Sequence, residues 1–169
     1  MQEKETTKYF IFSDVFRVPT TGRLLALDLG TKKVGVAVSD EFQFTVRHVR
    51  ILERKGWKKF LKEVIAFLNE FDAKALVIGL PYKFDGSESE MSAEARRVAR
   101  NFSLSLEVPV FLQDERVSTY QARRNLWAVG ASEKQIREKL DSEAAAIILS
   151  DFIELRNQLL KQQQENADI

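Results

Sequence analysis

One acidic residue stands in the interior of an apolar stretch, where a carboxylate is costly. Asp28 is the only charged residue of the run 24–29, LLALDL, whose apolar character on both faces is typical of a central β-strand. An unpaired carboxylate there needs a metal ion or a basic side chain as compensation. An ion pair with Lys32 or Lys33 would supply it without any function. We favour a functional role, because active sites are where proteins tolerate such penalties.

A second acidic group follows another predicted strand. Asp114, Glu115 and Arg116 come directly after an apolar strand pattern at 108–112. Ligands of open α/β sheets gather at the carboxyl ends of their strands. The triplet is therefore a candidate site, although an ordinary solvated loop would have the same composition.

A third acidic residue lies at the start of an apolar helix pattern. Asp141, Ala145, Ile148 and Phe152 have spacings of i, i+4, i+7 and i+11, so they share one helix face that should pack on the sheet. We expect Asp141 on this inward face, with an ordinary N-cap role as the alternative. Three carboxylates on three elements, at one end of a sheet, suggest a site for a hard divalent metal ion, Mg²⁺ or Mn²⁺.

The composition restricts the available chemistry. The chain has 169 residues, enough for about one domain, with no cysteine and a single histidine, His48. This excludes disulfide frameworks, thiolate metal sites, cysteine nucleophiles and multi-histidine zinc sites. No apolar run reaches the roughly 18 residues of a membrane span. We expect a cytoplasmic protein that does not associate with a membrane.

Two basic features could contact phosphates. Gly30 and Gly35 allow a tight hairpin turn from which Thr31, Lys32 and Lys33 could reach phosphate oxygens, although a simple strand turn explains them equally well.

The second feature is the stretch from Arg47 to Lys62, which has seven Lys and Arg residues against Glu53 alone, a local charge of 7 − 1 = +6. The whole chain has only 26 − 25 = +1. A solvated helix face and an electrostatic track for nucleic acid are both compatible with this stretch.

The periodicity predicts an α/β fold: a mixed five-stranded sheet, an antiparallel meander followed by parallel strands, with helices on both faces. Strands are expected at 24–29, 34–38, 44–51, 75–79 and 108–112. Helices are expected at 57–71, 87–107 and 142–160, and two further helices are expected to start at Ser118 and Ser132.

The predicted organisation is a single domain at 22–160. Residues 1–21 form an extension that could pair as an edge strand, bind a partner or stay flexible, and 161–169 form a polar tail.

Four segments resemble the YqgF family of RNase H-like proteins, which are described as Holliday junction resolvases and as pre-16S rRNA nucleases. The resemblance covers about residues 22–155. The segments are 28–37 (DLGTKKVGVA), 77–81 (VIGLP) with Asp85 and Gly86, 114–119 (DERVST) and 141–149 (DSEAAAIIL). Taken together in this order and spacing, they are specific, whereas the first alone also resembles phosphate loops of actin-like ATPases.

The resemblance implies an RNase H-like fold and an acidic triad of Asp28, Glu115 and Asp141. Two features depart from the family pattern. Glu143 stands where the family usually has a small or apolar residue, and the extension before Thr21 is longer than the family needs.

The resulting hypothesis is a metal-dependent endonuclease for structured nucleic acid. Asp28, Glu115 and Asp141 would hold Mg²⁺, and Thr31, Lys32, Lys33 and Arg116 would bind the nucleic acid backbone. The resemblance leaves two substrates open: precursor 16S rRNA, processed at its 5′ end, and a four-way DNA junction.

The sequence also leaves alternatives to this hypothesis. Two rival functions are open: a non-catalytic nucleic-acid-binding module and an actin-like ATP-binding protein. The protein could be a monomer or a homodimer. The ATP-binding alternative is the weaker, because such proteins enclose nucleotide between two related domains.

Overall fold

The computed structural model of the protein describes residues 15–81, 83, 85–115 and 127–168, without the side chains of residues 137 and 139–142. A short 3-10 helix at Val15–Arg17 precedes the first strand. The main elements are β1 (Leu24–Leu29), β2 (Lys33–Ser39), β3 (Val46–Glu53), α1 (Trp57–Glu70), β4 (Ala75–Leu80), α2 (Glu90–Ser105), β5 (Val110–Asp114) and α3 (Glu133–Ala167).

The five strands form one mixed sheet in the order β3-β2-β1-β4-β5. The pairs β1–β2 and β2–β3 are antiparallel, whereas β4 runs parallel to β1 and β5 runs parallel to β4. The hairpin register places Asp28 of β1 opposite Gly35 of β2. β1 is the central strand, which explains its apolar residues on both faces. The predicted mixed sheet is confirmed.

Residues of β1 alternate between two cores, one on each face of the sheet. Leu25, Leu27 and Leu29 pack with apolar side chains of α1 and α2, whereas Leu24 and Ala26 pack with apolar side chains of α3. Helices therefore cover both faces of the sheet, as predicted. Because side chains alternate along a strand, Asp28 belongs to the face covered by α3.

α3 is one continuous helix of 35 residues, although the sequence predicted separate helices from Ser132 and Ser142. The predicted capping box of Ser132 and Gln135 is confirmed at its start. No glycine or proline interrupts the sequence between Glu133 and Ala167, and a serine is tolerated within a helix. Neither this helix nor any other in the described ranges is long and apolar enough to cross a membrane.

The predicted start of α2 is wrong by two residues. The Asp85 carboxylate accepts hydrogen bonds from the N–H and the hydroxyl of Ser87, at 2.8 and 2.6 Å, and thereby holds Ser87 in a turn. Ser89 and Ser92 form the capping box instead. The helix predicted from Ser118 begins outside the described residues.

Two strands also begin two residues later than predicted. The Asp40 carboxylate accepts hydrogen bonds from the N–H groups of Phe44 and Thr45, both at 2.7 Å, so these residues belong to a turn and β3 begins at Val46. β5 begins at Val110, because Pro109 has no N–H to donate to the sheet.

The segment before β1 packs at the end of the sheet opposite Asp28. Val18 is buried in the core on the α3 face. The Arg156 guanidinium donates hydrogen bonds to the Pro19 carbonyl at 3.1 Å and to Gln43 Oε1 at 2.7 Å. These bonds connect residues of the segment 15–22 to α3 and to the β2–β3 turn.

Candidate active site

Asp28 and Glu115 meet on the α3 face of the sheet. Asp28 follows the buried residues Leu24 and Ala26 at two-residue intervals, and Glu115 lies four residues after Phe111, which is buried in the same core. Both side chains therefore belong to one face, at the carboxyl ends of two parallel strands. Their carboxyl groups are in hydrogen-bond contact. The structure thus brings together two of the three predicted acidic residues.

Gly79 of β4 makes this contact possible, because β4 lies between β1 and β5. A Cβ at position 79 would overlap the Glu115 carboxylate and would lie 2.6 Å from Cδ1 of Ile148. Real Cβ contacts are essentially never below 3.0 Å. Only glycine therefore leaves room for Glu115 to reach across β4 to Asp28. The sequence contains no local signal of this role, since the partners of Gly79 are distant along the chain.

The acidic pair has unusual protonation chemistry. Burial, followed by the negative charge of Asp28 and the hydrogen bond with it, raises the pKa of Glu115 to about 8, and Asp114 adds a smaller contribution. At neutral pH the protonated form of Glu115 dominates, and it can donate its hydrogen bond to the Asp28 carboxylate.

The two carboxyl groups fit a hard divalent cation. When both ionise they repel each other, and carboxylate oxygens are the ligands that Mg²⁺ and Mn²⁺ prefer. Asp28 and Glu115 could hold such an ion, with the charge of Asp114 close by. Among the side chains that the structure describes, no group of three or more acidic or histidine residues forms a complete metal cluster.

Asp141, the third predicted ligand, lies within α3, and its side chain is outside the described part of the structure. Its backbone is one helical turn before Ala145. A Cβ at Gly35 would lie 3.5 Å from the Ala145 Cβ and 3.6 Å from the Asp28 Cβ. α3 therefore passes beside Asp28 at a point one turn from Asp141. The role of Asp141 as a ligand stays a prediction.

The β1–β2 turn exposes Thr31, Lys32 and Lys33 directly after the central strand. The Gly30 N–H donates a hydrogen bond to the Lys33 carbonyl at 2.8 Å, which closes the turn. The three side chains are free to meet a ligand from solvent, and their contact with nucleic acid stays a prediction. Arg116, the fourth predicted binding residue, lies outside the described residues.

Arg54 holds this turn in place. Its guanidinium donates a hydrogen bond to the Gly30 carbonyl at 3.0 Å and pairs with Glu94 of α2, and its backbone N–H donates to the Lys32 carbonyl at 2.8 Å. A hydrogen bond from Arg97 lowers the pKa of Glu94. Sequence reasoning missed this role and counted Arg54 among the surface cations, because its carboxylate partner lies 40 residues away.

The sheet order and the acidic pair at the end of the central strand define the class: the protein has the RNase H-like fold of Holliday junction resolvases. RuvC of Thermus thermophilus, solved with a Holliday junction substrate, matches with a TM-score of 0.51 and 14% identity over 81% of this chain and 96% of RuvC. The yeast mitochondrial Holliday junction resolvase matches with a TM-score of 0.50 and 15% identity, over 94% of this chain and 88% of its own. At these identities the likeness shows the fold alone.

The chain belongs to the RuvX family, which is described as a Holliday junction resolvase family and matches residues 22–155. This confirms the resemblance to the YqgF family, another name for the same proteins. A relative from Anaeromyxobacter sp. strain Fw109-5, provisionally named a pre-16S rRNA nuclease, is 36% identical over 80% of this chain and 98% of its own. A relative of the same name from Rhodopseudomonas palustris strain BisB5 is 38% identical, over 80% of this chain and 85% of its own.

The first prediction concerns the space at Gly79. Gly79→Ala should displace the Glu115 carboxyl group from Asp28 and strongly lower nuclease activity. It should destabilise the fold by only about 1 kcal/mol, the low end of the overpacking range, because the crowded atoms of Glu115 and Ile148 are the ends of flexible side chains. Urea denaturation and a cleavage assay measure the two effects. Wild-type protein is the reference. A Gly79→Ala variant with wild-type stability and activity would contradict the packing argument.

The second prediction concerns the pH dependence of stability without divalent ions. The folded protein holds a proton on Glu115 up to pH of about 8, whereas an ordinary glutamic acid has a pKa of 4.5. The native state is therefore favoured at low pH, and this contribution is lost as the pH rises from about 4.5 to 8. Glu115→Gln lacks this titration. The free energy of unfolding of the variant minus that of the wild type should therefore increase by on the order of a few kcal/mol from pH 5 to pH 8.5.

Urea denaturation in EDTA at the two pH values measures this difference. Glu94→Gln is the control, because the pKa of Glu94 is lowered, so its ionisation changes stability only at pH values below the range tested. A free-energy difference between Glu115→Gln and wild type that is the same at both pH values would contradict the raised pKa.

Proposed function

We propose that the protein is a metal-dependent endonuclease that hydrolyses phosphodiester bonds in structured nucleic acid, with the 5′ end of precursor 16S rRNA as its main substrate. The contact between Asp28 and Glu115 carries this proposal. A half-buried acidic pair in which one carboxyl group has a strongly raised pKa is a typical property of a functional site. Its position at the carboxyl end of the central strand is where open α/β sheets bind their ligands.

The side chains have distinct roles in the proposed reaction. Asp28, in β1, and Glu115, directly after β5, would hold Mg²⁺ or Mn²⁺, and Asp141 would contribute a third carboxylate from α3. When bound, the ion supplies positive charge that activates the attacking water and stabilises the leaving oxygen. Lys32 and Lys33 bind and orient the substrate backbone at the turn.

The turn residues act at a fixed distance from the acidic pair. Arg54 holds the Gly30 and Lys32 carbonyls, so the turn cannot move away from the end of β1 without breaking these hydrogen bonds. Thr31 and Arg116 complete the proposed binding set. Such positioning matters because small displacements of a bound substrate lower the rate of an oriented reaction strongly.

The preference for RNA rests on the relatives that are provisionally named pre-16S rRNA nucleases. The second candidate substrate is a four-way DNA junction, which the description of the RuvX family favours. Resolution of a junction requires two cuts, so a dimer would suit this substrate and a monomer would suit the RNA. We place the activity in the cytoplasm, where bacterial rRNA is processed.

The third prediction tests the acidic pair by cleavage. Asp28→Asn keeps the size of the side chain but removes the negative charge that holds the cation, so cleavage should fall by at least about 100-fold. Folding and nucleic acid binding should be retained. The assay uses Mg²⁺ or Mn²⁺ with a labelled 5′-extended 16S rRNA precursor and a labelled four-way DNA junction.

Asp72→Asn is the matched control, because Asp72 is exposed and pairs with Lys74 at the opposite end of the sheet. Cleavage by Asp28→Asn at a rate near that of the control would show that the site is wrongly assigned. Wild-type protein that binds either substrate without cutting it would favour the non-catalytic module. Cleavage of only the junction would replace the RNA with DNA as the substrate.

A further inference from the structure

In the basic stretch 47–62, two arginines contact other elements of the fold. The Arg47 guanidinium lies over the Phe71 ring, 5.3 Å from its centroid. Arg54 points to the β1–β2 turn and to Glu94. Five exposed cations remain: Arg50 on β3, and four lysines that lie just before and within the first turns of α1, Lys55, Lys58, Lys59 and Lys62.

Three of these lysines lie beside the β1–β2 turn. Lys33 pairs with Glu53 in the β2–β3 register, and the next residue, Arg54, donates its backbone N–H to the Lys32 carbonyl. Lys55 follows directly, and Lys58 and Lys59 occupy the first turn of α1. β3 is two strand spacings, about 10 Å, from β1. We name Lys55, Lys58 and Lys59 the lysine surface; it lies at the same end of the sheet as the acidic pair.

The lysine surface is crowded with positive charge. A hydrogen-bond contact with Lys55 lowers the pKa of Lys59, so two amino groups face each other in solvent. Glu53, which pairs with Lys55 at 3.4 Å, and Glu63, whose charge acts on Lys55 and Lys59, offset part of the positive charge. The β1–β2 turn and residues 55–62 together contain six lysines. With these two glutamates subtracted, the local net charge is 6 − 2 = +4. An anion between the lysines would relieve their repulsion.

The start of α1 adds to the attraction for an anion. Its first turn contains no acidic residue, and Gly56 at the N-cap has no side chain with which to accept a hydrogen bond from the first N–H groups. The positive end of the helix dipole therefore points towards the same surface as the lysines.

We propose that the lysine surface binds the phosphate backbone of the nucleic acid substrate and leads it to the β1–β2 turn and the acidic pair. This inference rests on the proposed function and adds the surface by which the substrate is held outside the site of cleavage. Such contacts are independent of base sequence and depend strongly on salt.

The fourth prediction compares two triple variants of the full chain. K55Q/K58Q/K59Q removes the lysine surface, and R23Q/K74Q/K161Q removes three exposed cations elsewhere, with Arg23 and Lys74 at the opposite end of the sheet. The probe is a fluorescein-labelled 5′-extended 16S rRNA fragment, and its binding is measured by fluorescence anisotropy in EDTA over a series of salt concentrations.

Loss of three phosphate contacts should reduce the slope of log K against log salt by about 2, and should weaken binding at 0.1 M salt by on the order of 100-fold. The control variant should stay within about threefold of the wild type. In Mg²⁺, the lysine variant should lose kcat/KM in parallel with its binding and keep kcat, since the acidic pair is unchanged.

The outcomes separate this inference from the proposed function. Equal binding by the two triple variants, with cleavage intact in the wild type, would overturn the lysine surface and leave the endonuclease in place. Selective loss of binding in K55Q/K58Q/K59Q, with a wild type that never cleaves, would support the surface and overturn the endonuclease. A wild type that binds no nucleic acid would overturn both.

Discussion

The contact between the carboxyl groups of Asp28 and Glu115 imposes the strongest constraint on this structure. The two residues come from β1 and from the end of β5, which are not neighbours in the sheet, because β4 lies between them. Glu115 can reach Asp28 only over a residue without a side chain, and Gly79 occupies that position. Partial burial of the pair is also costly, and a proton on Glu115, whose pKa is raised to about 8, lowers that cost.

The surrounding elements support the pair from both faces of the sheet. On one face, α3 passes beside Asp28 with the small residue Ala145, so the helix can approach closely. On the other, Arg54 connects the turn after β1 to Glu94 of α2. The two cores fix the helices on the sheet, and the helices in turn fix the surroundings of the pair. The strands and helices that form the two cores therefore also position the acidic pair.

Much of this arrangement could be predicted from local sequence, and some of it could not. Asp28 was recognisable because a charge within an apolar strand is unusual, and the capping box at Ser132 follows from two residues three positions apart. Long-range partners gave no such signal: Gly79 became informative only once Glu115 and Ile148 were placed around it. Competition between neighbours misled the prediction at α2, where Asp85 captures Ser87 and leaves Ser89 as the N-cap.

The most direct test of the account measures the protons released when Mg²⁺ binds. Because Glu115 is protonated at neutral pH in the absence of the ion, binding by both carboxylates must displace that proton. Isothermal titration calorimetry at pH 7, in buffers with different ionisation enthalpies, should show about one proton released per ion site filled, and Glu115→Gln should abolish this release. Binding of Mg²⁺ with no proton release in the wild type would show that the ion does not bind at the acidic pair.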